Sequence, residues 1–192
     1  MKIKMTLLSD TIFGNGESIP GGEDISVLYD ENGFPFFKGG TFKGIFREEL
    51  SRLLKWEGKE EAEINRIIKK LLGVSDNDEE STEERIQFSD FQLSGYVKEQ
   101  VQREINNPVQ ILDSLTHLRT FTQIEENGIV KEGSLRTGRC INKGLVFYSE
   151  IQCKEDQSDL ICNTLAQIKW IGTMRNRGFG KVLIEPEEGG AK

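Results

Sequence analysis

Long hydrophobic runs are absent. No window of the chain approaches the roughly 18 apolar positions of a membrane span, and the apolar stretch after Met1 is too short for a secretory signal. Cysteine is scarce: Cys140, Cys153 and Cys162 are odd in number, far apart and form no C-x-x-C pair, which argues against a disulfide framework or a zinc knuckle. The expectation is a reduced, cytoplasmic protein with no membrane partner. No repeat period is visible, so a solenoid is excluded. His117 is the only histidine. Bases are outnumbered, with Lys+Arg 25 against Asp+Glu 32 and a net charge of -7, the wrong sign for a protein that coats nucleic acid by charge alone.

What is present suffices for a buried core: 36% of 192 residues are hydrophobic, which fits one domain over residues 1–192. Ile3, Met5 and Leu7 alternate with Lys2, Lys4 and Thr6, the period of a half-buried strand. A long glycine-containing loop follows. Asp30-Glu31-Asn32-Gly33 between two short apolar runs predicts a tight hairpin. Phe42, Ile45, Phe46, Leu50, Leu53 and Leu54 share one helical face behind Thr41, the expected N-cap, and Ile64, Ile67, Ile68, Leu71 and Leu72 form a second helix ending at Gly73. Ile86 to Leu93 reads as a strand with a one-residue irregularity. Tyr96 to Leu118, broken by Asn106-Asn107-Pro108, reads as a projecting excursion without a clean period. Glu125-Glu126-Asn127-Gly128 predicts another hairpin turn. A strand over Leu145–Cys153, a helix over Leu160–Ile171 and a strand over Gly180–Ile184 close the chain. Without its excursions the order is strand, helix, strand, strand, helix, strand: an α+β, ferredoxin-like (RRM-like) core, with a helical insertion at about 56–84, an excursion at about 96–140 that includes a thumb hairpin, and an acidic tail at 185–192.

Three stretches could carry chemistry. In Gly172 to Val182, G-T-M-R-N-R-G-F-G-K-V, glycines let the backbone approach a polyanion while Arg175, Arg177 and Lys181 reach its phosphates; the bland alternative is a glycine-rich turn before an edge strand. In Phe36 to Arg47, F-F-K-G-G-T-F-K-G-I-F-R, a glycine pair opens a helix whose N–H groups could meet an anion, with Lys38, Lys43 and Arg47 nearby. The G-K-[ST] ending of a Walker A loop is missing, which argues against ATP. From His117 to Arg139 the chain reads as a hairpin or thumb carrying Arg119, Lys131, Arg136 and Arg139, with Phe121 available to stack on a base.

Taken in order, these stretches resemble the RAMP superfamily, and most of all the Csm-type backbone subunit of type III CRISPR effector complexes. G-G-E-D-I-S-V-L-Y-D-E-N-G-F-P-F-F-K-G-G-T-F-K-G-I-F-R resembles the family's G-x-I-D-x-P-V…L-P-x-I-P-G-S-S-L-K-G-x-L-R; K-E-G-S-L-R-T and the terminal R-G-F-G-K-V follow in register, so the likeness spans Met1 to Ile184. The resemblance implies a subunit that binds a CRISPR guide RNA, assembles with copies of itself and other effector subunits, and cleaves bound target RNA. It implies that Asp24 is the catalytic carboxylate, orienting the 2'-OH that attacks the neighbouring phosphorus, accepting its proton, or holding Mg2+ or another divalent metal. The alternatives are a non-catalytic structural or capping subunit, or a metal-independent guide-processing nuclease acting through His117. The chain departs from the pattern where the family often has a His after the first strand (here T-I-F-G-N-G) and at the helix opening (K-G-G-T for P-G-S-S).

The acidity is unevenly spread. Trp56 to Glu84 holds ten acids against four bases, whereas Lys169 to Lys181 holds four bases and no acid. The basic segments are those that match the family's RNA-contact motifs.

Overall fold

The structure, a computed structural model, describes residues 1–16, 23–73, 85–122 and 128–187. Strand β1 (Lys2–Leu7) follows its alternation: Ile3, Met5 and Leu7 are buried, while Lys2 and Lys4 pair with Glu150 and Glu185 on the opposite face. It lies at the centre of an antiparallel sheet between β6 (Val146–Gln152) and β7 (Val182–Pro186), in register Met5↔Phe147 and Met5↔Ile184. The far edge of β6 is met by two short strands, β2 (Gln87–Phe88) and β3 (Gln92–Leu93). The expected irregular strand is thus one edge interrupted at Ser89–Phe91, where Ser149 Oγ donates to the Ser89 carbonyl at 2.7 Å. The result is an α+β fold with sheet order β2-β6-β1-β7 and β3 beside β2 on β6.

Helix α1 (Gly39–Trp56) packs Phe42, Phe46, Leu50 and Leu54 inward, as its period requires. Its start differs from expectation. Thr41 is not the cap; the helix begins two residues earlier, and Asp90 Oδ1 accepts from the Gly39 amide at 2.8 Å. Gly39 is required there because a Cβ would lie 2.3 Å from the Phe88 carbonyl oxygen. Helix α2 (Glu61–Leu72) buries Ile64, Leu71 and Leu72 and stops at Gly73, as its pattern predicts. Residues 74–84, the last part of the insertion expected at about 56–84, lie outside the described residues. Phe13, Phe37, Phe42, Phe91 and Phe147 form a continuous aromatic core, with Phe42 and Phe91 centroids 4.6 Å apart and Phe13 and Phe37 centroids 4.7 Å apart. Burial of each ring contributes roughly 2–3 kcal/mol.

The excursion after β3 is a correction. Instead of an irregular segment it holds α3 (Gly95–Glu104) and α4 (Pro108–Leu115). Ser94 caps α3 by accepting from the Val97 amide, and Asn107 caps α4 by accepting from the Val109 and Gln110 amides, with Pro108 at the first helical position. Asn-Pro therefore starts a helix rather than only ending one, because proline's missing N–H would be unpaired there anyway. Ile111, Leu112 and Leu115 anchor α4 in the core.

From α4 the chain enters β4 (Thr116–Phe121), which pairs antiparallel with β5 (Arg136–Ile141) in a separate two-stranded ribbon. The hairpin turn expected at Glu125–Gly128 falls largely outside the described residues. Helix α5 (Ser158–Gln167) is shorter than its apolar pattern predicts: Ile168 and Ile171 lie beyond its end but are buried all the same.

A basic groove beside a loop aspartate

The segment 23–25 runs parallel beside β5. Ile25 pairs with Gly138, the Asp24 and Ile25 amides donate to the Thr137 carbonyl at 2.8 and 3.2 Å, and the Arg139 amide returns to the Ile25 carbonyl at 2.9 Å. Asp24 Oδ2 accepts from the Thr137 amide at 2.7 Å. The side chain is exposed, and among the described residues Oδ1 has no hydrogen-bond partner. Asp24 is thus an exposed acid with one oxygen bonded to a backbone amide.

Thr137 follows Arg136, and Arg136 lines a groove of about 410 Å³ with Phe121, Lys131, Met174 and Arg177. A second hollow of about 280 Å³, lined by Asp10, Arg119, Lys143, Arg177 and Phe179, meets it at Arg177. The ribbon and the loop before β7 therefore bring Arg119, Phe121, Arg136 and Arg177 together around two adjoining hollows, whose lining does not include Asp24. Sequence reasoning places Arg175 and Lys181 with them. Both are exposed on the same loop, but neither lines these hollows.

That loop is shaped by contacts that exclude side chains. A Cβ on Gly172 would lie 2.4 Å from the Ile12 carbonyl oxygen, and one on Gly180 would lie 1.9 Å from that of Ile171; both residues have positive φ. Met174 adopts φ 56 and ψ 29 without being glycine and begins the 3₁₀ turn Arg175–Arg177. Such a residue carries about 1 kcal/mol or more of strain, which the surrounding packing must offset. Phe179 is the pin: Phe121 meets it edge-on, and the Arg119 guanidinium lies 5.6 Å from its ring centroid.

Other expected contacts have different surroundings. Lys38, Lys43 and Arg47 lie on or just before α1, away from these hollows. The Gly39 amide, expected to face an external anion, is occupied by Asp90, and Arg47 Nη2 donates to the Gly73 carbonyl at 3.0 Å, tying α1 to the end of α2. His117 stands on β4 with both ring nitrogens engaged, Nδ1 at 2.6 Å from Asn142 Oδ1 and Nε2 at 3.5 Å from Asp10 Oδ2.

Arg139, expected from the sequence to touch RNA, uses its donors inside the protein. Nε and Nη2 both meet Glu23 Oε1, while Nη1 donates to Asp113 Oδ1 at 2.7 Å and Thr116 Oγ1 at 2.8 Å. Burial opposes the guanidinium's charge, but the hydrogen bonds to Glu23 and Asp113 outweigh it and raise its pKa. Sequence reasoning missed Asp10, Lys143, Met174 and Phe179, because their roles depend on which loops the fold brings together.

Among the described residues no group of three or more His, Cys, Asp or Glu side chains could hold a metal ion. Asp24 there is one exposed carboxylate, and Mg2+ held by it would have to complete its shell from water and substrate phosphate. No helix among the described residues is long and apolar enough to cross a membrane.

In sequence, no curated protein matches the chain. In fold it is similar to a chain of the type III-B Cmr-beta complex bound to cognate target RNA, with TM-score 0.67, 14% identity and coverage of 96% of this chain and 95% of that one. It is also similar to a chain of Cmr-beta in the apo state, with TM-score 0.65, 14% identity and coverage of 97% and 96%. At that identity the likeness bears on the fold alone. The family model that matches residues 4–183 is that of the RAMP superfamily, and the chain belongs to it.

Proposed function

We propose that this chain is an RNA-binding subunit of a type III CRISPR effector complex, assembled on a guide RNA with copies of itself and other effector subunits, and that it cleaves bound target RNA at Asp24. What supports the reading is the gathering of Arg119, Phe121, Arg136 and Arg177 around two adjoining hollows, with the exposed Asp24 bonded to the backbone of Thr137, the residue after Arg136. Target RNA bound to a complex containing a chain of the same fold supports it. In this reading the core sheet is ferredoxin-like and the β4–β5 ribbon is a thumb. Arg119, Arg136 and Arg177, with Arg175 and Lys181 on the adjoining loop, contact phosphates, and Phe121 offers a surface to a base; Lys38, Lys43 and Arg47 form a second basic strip.

The Thr137 amide donates to Asp24 Oδ2 and leaves Oδ1 without a protein partner among the described residues. Oδ1 accepts the proton of a target 2'-OH as that oxygen attacks the neighbouring phosphorus in line. The O2'–P bond forms, the P–O5' bond breaks, and the departing 5' oxygen takes a proton from water. The arginines position the phosphates on either side and spread the developing charge. In the alternative arrangement Asp24 Oδ1 would instead hold a divalent cation, which would supply neutralisation of the charge developing on the attacked phosphate.

The test is Asp24→Asn in the complex that copurifies with the tagged chain. Asparagine keeps an acceptor for the Thr137 amide and removes the charge. The expected result is loss of regularly spaced, EDTA-sensitive target cleavage with guide and target binding intact. Cleavage at the same sites by the variant overturns the nuclease assignment and leaves the non-catalytic subunit.

A further inference from the structure

The most buried ion pair near the groove is not itself in the groove. Arg139 and Glu23 side chains are 12% and 11% exposed, and Arg139 bridges three elements: Glu23 in the loop, Asp113 on α4 and Thr116 at the start of β4. Thr116 Oγ1 is itself fixed, donating to the Leu112 carbonyl at 2.6 Å. Glu23 immediately precedes Asp24. The backbone bonds of residues 24 and 25 to Thr137, and of Arg139 to Ile25, lie within two residues of the ion pair along both strands. Glu23 Oε2 is buried without a hydrogen-bond partner among the described residues, so the carboxylate depends on Arg139 for its compensation.

We propose that Arg139 is a positioning residue that locks the Glu23–Asp24 loop onto β5 and the α4–β4 junction, and so sets where the Asp24 carboxylate stands. The inference rests on the nuclease reading for its catalytic consequence, but its structural content is independent of it. An exposed loop acid anchored only by its own backbone bonds to one two-stranded ribbon would sample many positions. A planar guanidinium that bonds one carboxylate through two nitrogens and a second element through the third fixes direction as well as distance. The Asp24 loop inherits that rigidity.

Two measurements test it. In the isolated protein, Arg139→Ala should speed hydrogen exchange at the Asp24, Thr137 and Arg139 amides at least ~10-fold, while amides between β1 and β6 keep their protection. In the assembled complex the same variant should lower the single-turnover cleavage rate about 10-fold or more with target Kd unchanged within about twofold, and Arg139→Lys should recover part of the loss. If Arg139→Ala does not fold, Glu23→Gln, which keeps the shape and removes the charge, takes its place. Unchanged exchange at the three amides overturns the proposal, as does a fall in target affinity that accounts for the whole loss of rate, the mark of a direct RNA contact. Asp24→Asn run alongside separates the readings: if it still cleaves, the nuclease assignment falls while the exchange data judge the clamp alone.

Discussion

Phe121 on β4 and Phe179 on the loop before β7 meet edge to face, centroids 5.6 Å apart and planes 71° apart, and this contact joins the ribbon to the body of the protein beside the groove. Phe179 is 5% exposed, so its truncation to alanine is expected to cost about 3–4 kcal/mol. Phe179→Leu keeps most of the volume, costs about 1 kcal/mol, and removes the ring that Arg119 and Phe121 share. Thermal unfolding should rank the variants in that order. RNA affinity should fall for Phe179→Leu even though it stays folded.

Arg136 and Arg177 line the same groove from two different segments. Each replaced by alanine should weaken RNA binding without a large change in thermal midpoint. The slope of log Kd against log salt should flatten by about 0.7 for each single-strand phosphate that the protein no longer neutralises. An unchanged slope in both variants would remove the groove from the RNA path.

The start of α1 offers a stability test distant in sequence from its cause. Asp90→Ala removes the acceptor of the Gly39 amide and should cost about 1 kcal/mol, read as a drop of a few degrees in the midpoint. Gly39→Ala should cost more, since its Cβ would meet the Phe88 carbonyl at 2.3 Å. Lys38→Ala, on an exposed side chain, should leave the midpoint within about 0.5 kcal/mol of the wild type.

Burial, and next the Asp10 carboxylate, push the Cys140 thiol up to about 11 from 9.0, with Arg119 partly opposing. The folded state therefore keeps a proton that the unfolded chain releases first. This group's contribution to stability is complete below about pH 9 and is lost as pH rises towards 11. The midpoint should fall more steeply over that window in the wild type than in Cys140→Ala. At neutral pH, alkylation of Cys140 followed by peptide mass spectrometry should track global unfolding.

His117 has a protein partner at each ring nitrogen, Asn142 and Asp10. Isolated protein incubated with repeat RNA in EDTA should show no cleavage that His117→Ala abolishes. Such cleavage would move the functional reading to the metal-independent nuclease.

In β1, α1 and α2 burial repeats with the period of the element, and there the sequence by itself determined it. The alternation of Ile3, Met5 and Leu7 made β1, the three- and four-residue spacing made α1 and α2, and Gly73 ended the latter, because each signal lies within a few residues of its effect. The ordered motifs likewise carried the RAMP resemblance and singled out Asp24, Arg136 and Arg177. Tertiary structure alone decided the rest. That Asp90 caps a helix beginning 51 residues earlier, and that Arg139 turns inward to Glu23 across 116 residues, are pairings with no local trace, since either side chain in isolation reads as a solvated charge. The net charge says little about the groove for the same reason: folding gathers a few arginines from two distant segments around one groove, and a sum over the chain cannot register where its charges meet.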